Sequence, residues 1–475
     1  MTDIETLIIG GGLSGLTVAH ALQRRGVRVE VWEQSARPGG KIESRREEGY
    51  LTERGASLCL NFRPEVNRFL AGAGLEGSKT PAAPSANRYL LHDGELVNLP
   101  MRTGKLLRSP LWSSRGKLRL ALEPFIPSRP SPEESVSQFI TRRLGGEMLT
   151  RAFEPFIAGP LASDPDRANA WQTLPRLTAL ERKYGSLTAG VFVHRVLRRR
   201  TATATESFSF EGGMTGLTDS LAQDLGPRLR LRHRATALEP MRHGWRVHGL
   251  AESGGVERTI TARQVVLSLP AGPAAALLAP HARELANLLQ DIEYAPLSVV
   301  HLGFDRVAVG HALDGTGFLA PRESGVALNG CQWMSSLFAG RALEGKVLLS
   351  CYLGGARRPA AQDWSDARSV DETLAALSGL LGLRGEPEMA RIDRHRAGLP
   401  LYHGAYHARV EAIRAQLRER PGLHLAANYL GGVSVRDRIV AAGGVAEAVF
   451  ERARIEPNPE RTGLTDGALA LEGRV

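Results

Sequence analysis

Four residues near the start of the chain have the types and spacing to hold a dinucleotide. Gly10, Gly12 and Gly15 form GxGxxG within GGGLSG, and Glu33 follows eighteen residues after Gly15. Glycines at these positions permit a tight turn and let the backbone approach a pyrophosphate, while the helix they open offers unpaired N–H groups to its charge. Ser14 belongs to the same loop, and a carboxylate at Glu33 suits ribose hydroxyls. The elements needed to position these groups can be read around them. Thr6 to Ile9 form a short apolar strand, Val18, Ala21 and Leu22 fall at i, i+3, i+4 of a helix, and VRVEVW alternates as the next strand. The unit is βαβ.

A second set follows at once in EQSARPGGKIESRREEGYLTERGA, residues 33–56. Arg37, Gly39, Gly40 and Lys41 give the basic, Gly-Gly, basic order with which FAD-holding Rossmann units commonly follow their acid, and which nicotinamide enzymes do not need. A third lies near the other end, in LAANYLGGVSVRDRI, residues 425–439. It reads as a strand turning sharply into a helix, a second place where free N–H groups face an anion or a polarised ring.

With these motifs the chain resembles the amine-oxidase-like flavoprotein superfamily, in which the Glu53-x-Gly55 step runs beside the flavin and the C-terminal turn faces its pyrimidine end. The resemblance implies FAD contacts at Gly55, Ala235, Asn428, Gly432, Val433 and Ser434. No cysteine lies in the C-terminal turn, so non-covalent FAD is expected.

The similarity is closer to the protoporphyrinogen oxidases, whose C-terminal signature approximates L-A-G-N-Y-x-x-G-V-S-V-x-D. NRYLLHDGELVNLP, RAFEPFIAGPLASDP, SFEGGMTGL, GTGFLAPRESG and SSLFAGRALEGKVLLSCYLGGAR resemble that family's blocks in its order. The resemblance implies that Arg88 pairs with a tetrapyrrole propionate. It places the Gly159 backbone over the reacting face, as the catalytic position, makes Phe156 and Leu319 apolar walls, and packs Tyr352 on a pyrrole. Ala427, Ser163, Thr316 and Ser57 depart from the pattern and bear on substrate preference.

The implied activity is oxidation of protoporphyrinogen IX to protoporphyrin IX, with hydride passing to flavin, protons leaving nitrogen, dioxygen as acceptor and hydrogen peroxide as product. Coproporphyrinogen III oxidation is the near alternative; amine oxidation, carotenoid-type desaturation and a non-enzymatic escort-like binder are more distant ones on the same fold. An anionic membrane surface and ferrochelatase are candidate partners, and monomer and homodimer both stay open.

The fold class expected is α/β: a discontinuous Rossmann-type FAD-binding domain (1–80, 205–285, 420–453), a helical membrane-proximal domain (87–200), a mixed-sheet substrate domain (286–419) and a loosely held tail (455–475). The chain has 475 residues, 43% hydrophobic and 23% charged, enough for two or three domains. The uncharged apolar run 265–280 carries three prolines and a glycine and is too short to span a membrane. The start of the chain lacks the basic and small-residue pattern of a secretory signal, and three cysteines without a CxxC pair suggest no disulfide framework, so a cytoplasmic location is expected. The net charge of +10 comes without a basic block interleaved with aromatics, which argues against single-stranded nucleic acid. Segments 106–125 and 194–200 alternate basic and apolar residues as at a membrane surface. His403 and His407 have the i, i+4 spacing of a helical metal pair, but Gly404 weakens that helix and no zincin glutamate lies between them, so no metal is expected. Asp393 to Arg396 in RIDRHRAG read as surface or loop residues.

Overall fold

The computed structural model describes residues 3–84, 87–99, 109, 111–197, 205–251 and 255–455, with backbone alone over 194–197. The expected tail beyond Ile455 and parts of both basic-apolar segments (106–108, 110, and the side chains of 194–200) lie outside the described residues.

Ile4–Ile9 is buried at every position, as a strand covered on both faces must be. It pairs in parallel with Val29–Glu33 on one side and with the end of Val256–Leu267 on the other. Leu229–Leu231 and Leu423–Leu425 add the outer parallel strands. The two-residue period then divides the core. Ile8 packs with Leu13, Leu16, Val435 and Ile439 under one helical layer, while Leu7 and Ile9 face Ala271, Leu285 and Tyr406 on the opposite side. The first half of Val256–Leu267 turns instead to an antiparallel meander with Gly244–Ala251 and His233–Met241. Strands distant in sequence thus build one Rossmann-type α/β sheet.

A second seven-stranded sheet has the order Met389–Pro400, Tyr294–Asp305, Lys346–Gly354, Leu328–Trp333, Gly315–Leu319, Asn87–His92, Glu95–Asn98. In Lys346–Gly354 the residues Val347, Leu349, Cys351 and Leu353 enter a core shared with helix Asp366–Leu381, which leaves Tyr352 on the other face. Gln332 and Leu319 are turned the same way by Cys331, Trp333 and Phe318. That face is a wall of the site described below.

Between the sheets in sequence stand Ser114–Ala121, Val136–Leu144, Glu154–Ala158, Pro175–Tyr184 and Leu187–Leu197, several of them gathered on a small core of Trp112, Phe139, Ile140 and Ile157. One boundary differs from expectation. Residues 87–98 are not the start of the helical segment but the outer hairpin of the second sheet. The cause is local: Asp93 and Gly94 both have positive φ (49° and 81°), the two-residue turn that joins antiparallel strands without splaying them.

Candidate active site

The three glycines of the GxGxxG motif are glycines for two reasons. A Cβ on Gly10 would lie 2.3 Å from the Ser268 carbonyl oxygen, and one on Gly15 would lie 2.0 Å from the Gly10 carbonyl oxygen, so both serve contacts within the protein. A Cβ on Gly12 would meet only the Gly40 Cα, at 4.0 Å. Among the described residues nothing forbids a side chain there. The open space belongs to a cavity into which the N-terminus of helix Leu13–Gln23 points, the cradle a pyrophosphate requires. Glu33 is buried at the rim, where its carboxylate accepts the Gly11 N–H at 2.7 Å and the Ser35 N–H and O–H at 2.8 and 2.6 Å. Its orientation is fixed before any ribose arrives.

The second motif lies edge to edge with the first: Gly39 donates its N–H to the Gly11 carbonyl at 2.8 Å, and Gly39 and Gly40 take positive φ. Arg37 does not line the cavity. Its guanidinium is committed to the carbonyls of Pro38, Gly40 and Ile42 and to Glu43, so it braces the loop. Lys41 does line it, donating to the carbonyls of Ala397 and Gly398, with burial pulling its pKa down to about 8. Gly55 passes so close that a Cβ would come within 2.4 Å of the Lys41 carbonyl oxygen. Glu53 beside it is buried against Arg341.

At the C-terminal turn, Leu423–Leu425 returns parallel to Val265–Leu267 and the chain re-enters a helix at Val435. Gly431 and Gly432 have φ of 80° and 101°, and the Ser434 hydroxyl accepts the Asp437 N–H at 3.2 Å, capping the helix. Residues absent from the sequence reading fasten this turn. Tyr402 donates its hydroxyl to the Asn428 carbonyl at 2.7 Å, Tyr406 to the Tyr429 carbonyl at 3.0 Å, and the buried Arg438 to those of Ala427 and Leu430. Their only sequence signal is that aromatics and an arginine recur near a glycine-rich turn.

A single cavity of about 2440 Å³ joins these parts to the face of the second sheet. Its wall includes Gly10, Gly12, Ser14, Glu33, Gly39, Gly40, Lys41, Gly55, Ala235, Asn428, Gly432, Val433 and Ser434, and equally Arg88, Phe156, Gly159, Leu319 and Tyr352. Of the expected site residues only Gly15 and Arg37 stand behind the surface. Tyr352 donates to Gln332 Oε1 at 2.7 Å, and Ser57 donates to the same oxygen at 2.8 Å. Burial raises the Tyr352 phenol far above its ordinary pKa, which keeps it neutral. Gly159 closes a short helix by donating its N–H to the Pro155 carbonyl at 2.9 Å, and a Cβ there would strike Leu319 at 2.7 Å.

Other residues reach the cavity unannounced. Arg176 and Arg436 lie over the Phe62 ring at 3.6 and 4.0 Å, and burial with neighbouring cations lowers the Arg176 pKa. The RIDRHRAG segment is not a surface loop. It is part of strand Met389–Pro400, with Asp393 buried between Arg45, Arg54, Arg391 and His301, and His395 donating to the Arg54 carbonyl at 2.7 Å. His403 and His407 do not share a helix, which starts at Tyr406; they contact Ser163 and Gln172.

The model of the flavin-containing amine oxidoreductases matches residues 13–449. The chain belongs to that family. It is an FAD-dependent oxidoreductase, and the open space at Gly12, the oriented Glu33 and the capped C-terminal turn fit the cofactor. It is similar to protoporphyrinogen oxidase 2 of Arabidopsis thaliana, with 28% identity over 93% of both chains, and to coproporphyrinogen III oxidase of Bacillus subtilis, with 28% identity over 92% of this chain and 95% of that one. The crystal structure of a candidate protoporphyrinogen oxidase from Exiguobacterium sp. 255-15 has the same fold, with a TM-score of 0.77 at 23% identity over 94% of this chain and 99% of that one.

Proposed function

We propose that the protein oxidises protoporphyrinogen IX to protoporphyrin IX in tetrapyrrole biosynthesis, with dioxygen as final acceptor and hydrogen peroxide as product. The observation that carries this reading is the continuity of the cavity: one space runs from the dinucleotide cradle to an apolar chamber walled by Phe156, Leu319 and Tyr352, with Arg88 among its lining residues. FAD supplies hydride acceptance from the methylene bridge. The chain's own residues hold and orient the macrocycle. Arg88 suits a propionate bidentately. The Gly159 N–H is already spent on the Pro155 carbonyl, and the Gly159 carbonyl oxygen, which accepts only a long bond from the Ala162 N–H at 3.3 Å, keeps a second lone pair to accept a pyrrole N–H and polarise the ring. Tyr352, held by Gln332, offers a fixed apolar face.

Relatives that act on coproporphyrinogen are as similar as those that act on protoporphyrinogen, so the tetracarboxylate is the second reading. Purified protein incubated in air with each porphyrinogen should generate porphyrin fluorescence and peroxide, faster with protoporphyrinogen. Absence of porphyrin from both rejects the reading, and a preference for coproporphyrinogen moves it to the second. Acid precipitation should release the flavin into the supernatant.

A further inference from the structure

We propose that Ser163, His403 and Glu293 form a relay that takes the pyrrole N–H proton from the substrate in the cavity to solvent, an assignment that rests on the porphyrinogen reading above. Ser163 is buried, lines the cavity and follows Gly159 by four residues on the same wall. Its Oγ is 3.0 Å from His403 Nε2. His403 is itself buried, and its Nδ1 makes no hydrogen bond among the described residues, yet lies 3.8 Å from Glu293 Oε2. Glu293 is 55% exposed and gripped by Arg167 Nη2 at 3.1 and 3.0 Å. Three residues from remote parts of the chain therefore run from the reacting chamber to the surface.

A histidine serving only to pack the core would be expected to pair both ring nitrogens, because an orphaned buried nitrogen is costly. Here the unpaired nitrogen faces a solvated carboxylate, one small rotation from a hydrogen bond. The charges around the ring suit a proton acceptor. Burial and the Arg167 guanidinium lower the His403 pKa against the opposing pull of Glu293 and Asp164, the latter itself paired with Arg322 at 3.2 Å. The imidazole is thus neutral near pH 7. The balance is simple: as hydride leaves carbon, the N–H proton passes to Ser163 Oγ, the Ser163 hydroxyl proton passes to His403 Nε2, and His403 releases its Nδ1 proton to Glu293 and solvent. Ser163 touches substrate; His403 and Glu293 act through it.

The test uses the flavin-loaded enzyme and both porphyrinogens between pH 5 and 9. Wild-type kcat should rise with pH through one ionisation below the ordinary imidazole value and then level. Ser163→Ala and His403→Gln should each lower the plateau kcat roughly a hundredfold, as loss of positioned acid–base groups does, with KM little changed. His403→Gln should also erase the ionisation, and Ser163→Thr, which keeps the hydroxyl, should recover most of the rate. Flavin content equal to wild type establishes that the variants fold. In ¹⁵N-histidine spectra without substrate, the signal absent from His403→Gln should titrate low and shift in Ser163→Ala. An active wild type whose two variants retain its kcat and pH profile overturns the relay. A wild type inactive on both porphyrinogens overturns the functional reading and the relay together, so the two failures are told apart by the wild-type arm.

Discussion

Gly12 separates what the fold needs from what the cofactor needs. Because a side chain there enters open space, whereas one on Gly15 would overlap a carbonyl, the two positions should fail differently. Gly12→Val should give a folded apoprotein with thermal stability near wild type and no bound flavin. Gly15→Ala should lower the melting temperature even without cofactor, by forcing apart the strand and helix. Flavin absorbance per protein and calorimetry of the apoproteins check both; a Gly12→Val protein that keeps its flavin rejects the cradle. Arg88 gives a complementary test. Its side chain is exposed on the cavity wall and outside every flavin motif. Arg88→Ala should lose roughly 1.5 to 3 kcal/mol, about ten- to a hundredfold in kcat/KM, mainly through KM because the propionate is remote from the reacting carbon. Arg88→Lys should restore only part, since an ammonium keeps the charge without the fork. Unaltered KM on both porphyrinogens rejects the role. Gly12 and Gly15 were legible because their spacing expresses backbone geometry, whereas Arg88 was singled out only by the family resemblance. The places of Arg176, His403 and Glu293 were not legible, because nothing in their local sequence shows that the fold brings Arg176 to the cavity and sets the other two behind Ser163 on its wall.

At the scale of elements, alternation and glycine punctuation located the βαβ unit and the C-terminal turn, and the same signals could have found more. The Asp-Gly pair between LLH and ELV is a strong hairpin mark, and RIDRHRAG hid its strand by carrying a buried Asp393 that Arg45, Arg54 and its own Arg391 neutralise. The join between helical elements was beyond local reading. Glu123, wholly buried, receives the Ser186 hydroxyl at 2.7 Å and the amides of Leu187 and Thr188 at 2.9 and 3.0 Å, and it pairs with the buried Arg143. A side chain 64 residues away thus caps helix Leu187–Leu197. Burial alone would raise this carboxyl, but the hydrogen bonds outweigh it and hold the pKa down at about 2. A depressed folded-state pKa contributes stability that is present above the unfolded value, near 4.5, and lost as pH falls toward 2. Melting temperature should therefore drop across that window. Glu123→Gln should be less stable at pH 7 and lose less between pH 4.5 and 2; an equal acid loss in both proteins would show that other carboxyls govern it.

In the whole molecule, two sheets enclose the cavity and the helical elements close it, and these elements also carry the largest exposed apolar side chains. Leu118, Leu122 and Phe125 lie on helix Ser114–Ala121 and the turn after it, with Phe125 81% exposed; Val191 and Phe192, the latter 67% exposed, lie on helix Leu187–Leu197. Glu123 binds the start of that helix, so the two groups stand on adjoining elements, and exposed apolar side chains of this size suit an apolar partner. Arg115 and Lys117 stand beside it, while Arg119 is turned inward to the carbonyls of Arg142 and Arg143. Among the described residues no helix is long and apolar enough to cross a membrane. Shallow insertion of this face, with cations against lipid phosphates, fits its chemistry, and each basic residue near an anionic surface contributes about 1 kcal/mol. The protein should sediment with vesicles containing anionic phosphatidylglycerol at low salt, less so as salt rises, and poorly with neutral vesicles. Phe125→Ser with Phe192→Ser should reduce binding at every salt concentration without lowering turnover of porphyrinogen added in detergent, because both side chains point away from the cavity wall. Wild-type protein that stays in the supernatant with anionic vesicles at low salt would leave the patch to a protein partner and remove the membrane from the account.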